Sequence, residues 1–259
     1  MTETMEPVDI LGFRISSGGL ESDVDSALYA ISLAKKGCYM ACANPHSLVL
    51  ARRDYLFRIA LQEANILVPD GAGIILAAKI LNLPLKERVA GPEFFHDLTQ
   101  RLAKKGGVRY FFLGSTDYVL NLIAQRLNSE FPEITVCGTL SPPFKPVFSP
   151  EENAAIVSAI NAANPDVLWV GMTAPKQEKW IYQNRGHLKV TFIGAIGAVF
   201  DFYAGTKKRS STFWQRLGLE WLPRFLNEPA RLWERNLKST PIFVGWILKE
   251  KIRQIVGLG

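Results

Sequence analysis

Short unbroken apolar runs alternate along the chain with longer segments in which apolar side chains recur every three or four positions. The runs are residues 38–43 (CYMACA), 66–69 (ILVP), 108–113 (VRYFFL), 134–137 (ITVC), 166–170 (DVLWV) and 190–193 (VTFI). Each has the length of a strand and lacks the alternation of a half-exposed one, so a sheet covered on both faces is expected. The segments between them read as helices. Residues 21–36 place Val24, Leu28, Ile31 and Leu33 between charges, and Gly37 stops them. A helix capped by Ser47 follows the Asn44-Pro45-His46 turn and runs to about Glu63. Another follows the Asp70-Gly71-Ala72-Gly73 turn to about Leu81. Further helices are predicted over 92–105, ended by Gly106-Gly107, then up to Phe131, over 151–163, and from Lys176 onward.

Strand and helix in strict alternation predict an α/β fold: a Rossmann-like, mostly parallel sheet with helices on both faces. Residues 138–150 form a Pro-rich loop, and strand signals end near Gly205. The expected organisation is an α/β domain over 1–204 and a helical basic appendage over 205–259.

Composition removes several classes. With 259 residues, 48% of them hydrophobic, the chain can bury a core without disulfide or metal staples. Cys38, Cys42 and Cys137 form no CxxC pair and no Cys/His cluster, which argues against a zinc module or a disulfide scaffold. The acidic start lacks the apolar core of a signal peptide, so export is not expected. The apolar stretch over 241–248 is far shorter than the ~20 residues that span a bilayer.

The net charge of +6 is unevenly placed. From Gly205 onward eleven Lys/Arg face four acids, a net +7, which leaves nineteen basic and twenty acidic residues in the rest of the chain. Trp214, Trp221, Trp233 and Trp246 lie in the same segment. Cations interleaved with aromatic and aliphatic side chains suit an anionic lipid surface. The alternatives are a helical pair packed on the domain, or a contact between copies in a homo-oligomer. A nucleic acid partner is disfavoured because no RNP, zinc-finger or KH signature accompanies the charge.

In open α/β sheets ligands bind beyond the carboxyl ends of the strands. Glycines and polar residues gather at those ends: Cys42-Ala43-Asn44, the DGAG turn, Gly114-Ser115-Thr116, GMTAPKQE over 171–178, and Gly194 to Gly197. Such turns let backbone N–H groups and helix N-termini meet a phosphate, which favours a nucleotide or diphosphate ligand. A complete GxGxxG, a Walker loop and a GxSxG elbow are all absent from the sequence. Asp70 ends an apolar strand, so it reads either as a general base at a cleft or as the N-cap of the next helix. Gln177 and Glu178 read either as ligand contacts or as ordinary first-turn residues. Arg88 can clamp a phosphate from its loop, or be a surface arginine. Asp23-x-Asp25, the DxD triplet weighed for a metal, reads as a solvated helix start. His46 at the turn could titrate or be a structural histidine, and His96 and His187 carry no partner signal.

Five segments resemble the WecG/TagA/CpsF glycosyltransferases: ANPHSLVLARRD, ILVPDGAGIILAAKILNLPLKERVAGPEF, GMTAPKQEKWI, FIGAIGAVFDFYAGTKKRS and LEWLPRFLNEPARLW. The likeness runs from about Ile10 to Asn236. It implies an inverting transferase that needs no cofactor. That enzyme would move an N-acetylmannosamine- or glucose-type hexose from a UDP-sugar to a polyprenyl-diphosphate-linked sugar, peripherally on the inner face of a bacterial membrane. The products would feed teichoic acid, common antigen or exopolysaccharide synthesis. The resemblance places the general base on Asp70, beside Gly71 of the same PDG motif, the active-site arginine on Arg88 and the motif glutamine on Gln177, followed by Glu178. The T-x-N motif falls on Cys42 and Asn44, so its threonine is replaced. Diphosphate-binding arginines fall on Arg224 and Arg231, and a following arginine pair reads Glu234-Arg235 here. With no DxD at a strand end, side-chain cations and helix dipoles are expected to stabilise UDP without a metal ion. The other readings are a soluble nucleotide-sugar enzyme such as an epimerase, and a noncatalytic sugar-nucleotide-binding protein.

Overall fold

The computed structural model describes residues 6–211, 214 and 238–257. Six strands form one parallel sheet: β3 (Cys38–Ala43), β4 (Ile66–Pro69), β5 (Val108–Gly114), β6 (Ile134–Leu140), β7 (Val167–Gly171) and β8 (Phe192–Ala195). Their order across the sheet is β4-β3-β8-β7-β5-β6. Ahead of them, β1 (Val8–Ile10) and β2 (Phe13–Ile15) make a small antiparallel hairpin that the sequence reading did not contain. Leu11 and Gly12 both take positive φ at its two-residue turn, as a tight hairpin needs.

Successive residues of each strand enter different cores. Phe111 and Leu113 of β5, Leu168 and Val170 of β7, and Tyr39 and Ala41 of β3 face one apolar cluster. Tyr110 and Phe112, Val167 and Trp169, and Cys38 and Met40 face the other. Two buried faces explain why the strands read as continuous apolar runs. The first core is covered by α2 (Pro45–Ala51), α3 (Tyr55–Gln62), α4 (Ala72–Leu81), α7 (Pro150–Ala163) and α8 (Lys176–Asn184). The second is covered by α1 (Gly19–Ser32), α5 (Gly91–Lys105), α6 (Asp117–Glu130) and α9 (Val199–Ala204). Gly194 lies beside Trp169 in the β7–β8 ladder, and a Cβ there would fall onto the indole ring. Only glycine leaves room for that ring at the centre of the sheet.

Local chemistry moved several boundaries. The helix expected up to Glu63 is two helices, because the Asp54 side chain accepts from the Phe57 N–H and starts α3 afresh. The cap of α2 is Asn44, and Ser47 is its partner: Asn44 Oδ1 accepts from the Ser47 N–H at 3.0 Å, and Ser47 Oγ accepts from the Asn44 N–H at 2.8 Å. Helix α1 stops at Ser32, ahead of the left-handed Ala34, not at Lys36. Strand β8 begins at Phe192, not Val190, and includes Gly194 and Ala195, so the turn starts later than the glycine suggests.

The last helix, α10 (Thr240–Val256), packs against α4 and α2. Phe243 and Ile247 are 1% exposed in the first core. Ser239 meets His46 Nδ1 through its hydroxyl at 2.8 Å, and the Arg52 guanidinium lies 4.2 Å from the Trp246 ring centre. Arg224, Arg231, Glu234, Arg235, Trp221 and Trp233 lie outside the described residues. No helix among the described residues is long and apolar enough to cross a membrane.

Candidate active site

Because the six strands are parallel, all their carboxyl ends open on one edge of the sheet. Asp70 follows β4 directly, and its backbone N–H donates to Ala43 O at 2.7 Å, extending the β3–β4 ladder by one rung. The N-cap of α4 is Gly71, with φ of 94°. Asp70 is therefore not the cap, which removes one of its two readings. A Cβ on Gly71 would lie 4.0 Å from the Asn44 Cβ, and one on Gly73 would strike Pro45. The turns after β3 and β4 thus interlock, and they bring Asn44 beside the turn that carries Asp70. Asn44 uses its amide oxygen in the α2 cap, so its amide nitrogen is the part that can serve a ligand.

Arg88 reaches the same corner through its loop. The Val89 N–H donates to Pro69 O at 3.0 Å, and the Lys86 N–H donates to Ser17 O at 3.0 Å. Glu87 Oε1 accepts from the Leu20 N–H at 3.0 Å, next to Gly19, where a side chain would collide with it. These ties hold Arg88 over the end of β4. Its guanidinium lies 3.8 Å from Glu93 Oε1, which also receives Arg209 Nη2 at 2.7 Å. Glu93 and Arg209 were not singled out in the sequence. The acid in the first turn of α5 was the available signal for one, and the KKRS run for the other.

Cys42 sits one strand inward, partly buried, with its sulfur 4.0 Å from Ala195 O of β8. It therefore lies on the line from the Asp70 corner to the end of β8, but as a weak donor in place of a hydroxyl.

Gln177 and Glu178 open α8 and occupy the β7–β8 end. They are 4% and 2% exposed, so they are not ordinary first-turn residues. Gln177 Nε2 donates to Glu178 Oε1 at 2.9 Å. Burial pushes the Glu178 carboxyl up to about 7, against a smaller opposing effect from the Gln177 hydrogen bond. Gln177 Oε1 and Glu178 Oε2 have no hydrogen-bond partner among the described residues. The Gln177 amide stands 3.4–3.5 Å from the position a Cβ would take on Gly197, which has φ of 48° in the turn after β8. Further along, Ser115 and Thr173 take left-handed φ of 61° and 66° just past β5 and β7. Non-glycine residues in that region concentrate at functional sites. The chain leaves β5 toward β6 and leaves β7 toward β8, so this is where the sheet's connections diverge.

The Asp23-x-Asp25 reading needs correction. Asp23 is 3% exposed, not solvated, and accepts from Ser16 Oγ at 3.0 Å. Burial pushes its carboxyl up to about 7, with Glu87 adding to the rise. Asp25 pairs with Arg101 at 2.7 Å. Among the described residues no group of three or more His, Cys, Asp or Glu side chains is placed to hold a metal ion. The folded protein holds the Asp23 proton up to about pH 7, while the unfolded chain releases it near the ordinary aspartate value. Stability therefore falls as pH rises across that window. Asp23→Asn keeps the acceptor for Ser16 and cannot ionise. It is expected to match the wild type near pH 4 and to exceed it at pH 8 by on the order of 2–4 kcal/mol in urea unfolding. Equal wild-type and variant stability at pH 8 would show that the Asp23 carboxyl is not held protonated.

The sequence profile of the Glycosyl transferase WecG/TagA/CpsF family matches residues 8–256. The chain is 32% identical over 219 residues to the N-acetylglucosaminyldiphosphoundecaprenol N-acetyl-beta-D-mannosaminyltransferase of Bacillus subtilis, covering 84% of this chain and 81% of that protein. It is 31% identical to the Bacillus spizizenii enzyme of the same name, covering 83% and 80%. It is 28% identical to the Staphylococcus aureus enzyme, covering 94% and 93%. A profile that spans the hairpin, the whole sheet and α10, together with relatives that match four-fifths or more of their own length, leaves one assignment: this chain belongs to the WecG/TagA/CpsF family and is a glycosyltransferase.

Proposed function

We propose that the enzyme transfers an N-acetylmannosamine- or glucose-type hexose, with inversion, from a UDP-sugar to an undecaprenyl-diphosphate-linked sugar that feeds teichoic acid or other surface polysaccharide synthesis. The observation that carries this reading is the corner where Asp70 stands beside the Asn44 turn with Arg88 held above it, while the helix cap is left to Gly71. The names of the relatives supply the acceptor class, a diphosphoundecaprenol-linked sugar.

Asp70 takes the proton of the acceptor hydroxyl as its oxygen attacks the anomeric carbon of the donor. The bond from that carbon to the UDP oxygen breaks on the opposite face, which inverts the centre. UDP leaves carrying the electron pair. Arg88, the N–H groups that open α4 and, from outside the described residues, Arg224 and Arg231 stabilise its charge. Asn44 holds a sugar or phosphate oxygen, Gln177 accepts from a sugar hydroxyl or N–H, and Cys42 lines the floor between them.

The lipid-linked acceptor requires contact with a membrane, and α10 offers a surface for it. Leu248, Ile252, Ile255 and Val256 are 48%, 61%, 73% and 62% exposed. Their spacing puts them on one stripe, opposite the buried Phe243 and Ile247, with Lys251 on one flank and Lys249 and Arg253 on the other. An apolar stripe between cations is the pattern of a helix lying in a lipid interface. The segment from Gly205 then acts as the appendage that meets the inner face of the cell membrane, its last helix anchored on α2 and α4.

The test is UDP release from UDP-N-acetylmannosamine and UDP-glucose, with and without undecaprenyl-diphosphate-N-acetylglucosamine. Acceptor-dependent release that survives EDTA is expected. Release that ignores the acceptor would point to a soluble nucleotide-sugar enzyme, and no release with any donor would point to a binding protein. A strict Mg²⁺ or Mn²⁺ requirement would overturn the cation-and-dipole account of UDP departure.

A further inference from the structure

We propose that Glu178 is a positioning residue: it fixes the orientation of the Gln177 amide so that the carbonyl oxygen, and not the NH₂ group, is offered to the sugar of the donor. The inference rests on the reading of the site as a sugar-nucleotide transferase, and it names the part of the ligand that Gln177 meets.

Both side chains are almost wholly buried, and Gln177 Nε2 donates to Glu178 Oε1 at 2.9 Å. Against an ionised Glu178 the reverse orientation would set two acceptor oxygens against each other, so Nε2 is the end of the amide that faces the carboxylate. Held this way, Gln177 Oε1 is a buried acceptor with no partner among the described residues. An unmet buried acceptor costs about 1–3 kcal/mol, so it marks a place kept for a donor. The amide lies against Gly197, its oxygen and nitrogen 3.4 and 3.5 Å from where a Cβ would stand, just past the carboxyl end of β8, on the edge where the other candidate residues gather. A hydroxyl or acetamido N–H of the hexose can supply the missing donor, as can a ribose hydroxyl or the uracil N3–H, whereas phosphate oxygens cannot; comparing UDP with UDP-sugar binding separates the hexose from the nucleoside.

The second unpartnered atom, Glu178 Oε2, gives the arrangement its tolerance. A neutral carboxyl with its proton on Oε2 can still accept from Gln177 through Oε1, which keeps the amide in the same sense. A glutamine at this position also presents an acceptor oxygen to Gln177, so Glu178→Gln should rescue what Glu178→Leu loses.

Two measurements decide the matter. In the ligand-free protein, the side-chain NH₂ of Gln177 is expected to be protected from hydrogen exchange in the wild type and in Glu178→Gln, and unprotected in Glu178→Leu. By calorimetry, Glu178→Leu should weaken UDP-N-acetylmannosamine binding about 3- to 10-fold, the worth of one neutral hydrogen bond, and leave UDP binding unchanged. In a Gln177→Ala background the same substitution should add less than about twofold, because the effect runs through Gln177. Equal loss of UDP and UDP-sugar affinity would overturn the proposal, and so would full additivity with Gln177→Ala or a protected amide in Glu178→Leu. Wild-type protein that binds no UDP-sugar would sink the transferase reading and with it the donor-facing half, while the exchange experiment would still decide the positioning half.

Discussion

Asp70→Asn should bind UDP-sugar about as well as the wild type and turn it over about 10²–10⁴-fold more slowly, the usual worth of a general base. Asparagine keeps the size of the side chain and its acceptor oxygen, and the backbone bond from residue 70 to Ala43 O does not depend on the side chain. Gly71 caps α4, so removing the charge costs no helix cap. The loss should therefore fall on kcat and leave donor affinity nearly unchanged. That split separates a base from a residue that merely builds the turn, whose loss would lower stability and binding together. Single-turnover measurements with saturating acceptor would read the chemical step directly. Turnover within about threefold of wild type would remove Asp70 from the reaction.

Deleting residues 238–259 should have the largest effect on the fold. Phe243 and Ile247 bury their side chains in the core shared with Leu48 of α2 and Ile74 of α4. Each such side chain is worth about 1.5–3 kcal/mol of burial, so together they account for about 3–6 kcal/mol. That is a large share of the ~5–15 kcal/mol by which a typical domain is stable. The truncated chain is expected to unfold at much lower urea and to bind apolar dyes through the uncovered faces of α2 and α4. Its failure to bind vesicles would then say little about membrane contact. Ile252→Glu combined with Ile255→Glu is the cleaner probe, since both side chains point outward. That variant should unfold within about 0.5 kcal/mol of wild type. It should also lose flotation with anionic vesicles at low salt. Unchanged flotation would take α10 out of the membrane contact, and a truncated chain with an unchanged midpoint would show that its packing contributes little.

Much of the sheet was legible because residues buried on both faces have no other pattern available. Strands β3 and β4 fall where their apolar runs fall, each closed by a turn signal, Asn44-Pro45 or Asp70-Gly71. The hairpin escaped notice because its strands are three residues long and its turn is Leu11-Gly12, without the Asn-Gly or Asp-Gly signal. The division of α2 from α3 was written in Asp54, whose capping role was masked by apolar residues continuing on either side. For the site, Asp70 and Asn44 could be located from strand ends alone, whereas Arg88, in a loop, was set apart from a surface arginine by the family resemblance. The burial of Asp23 and Glu178 could not, because a helix start predicts acids without saying whether the first turn meets solvent or core. Cys42 shows the reverse case: its strand position was plain, and only the structure sets its sulfur toward β8.

The order of strands also dictates an order of assembly. β8 is the sole seam within the sheet between the β3–β4 pair and the β7-β5-β6 group, and it is the last of the six to leave the ribosome. Until residues 192–195 arrive, the facing edges of β3 and β7 are open templates for wrong pairing. Closure then joins Cys38 to Phe192 on one side and Val167 to Phe192 on the other, contacts distant in sequence on the β3 side and slow to find. Insertion of β8 is therefore expected to come late in folding, and nascent chains stalled before it should be the ones that recruit chaperones. Within that strand Gly194, which admits the Trp169 ring, is where an added methyl would delay closure most.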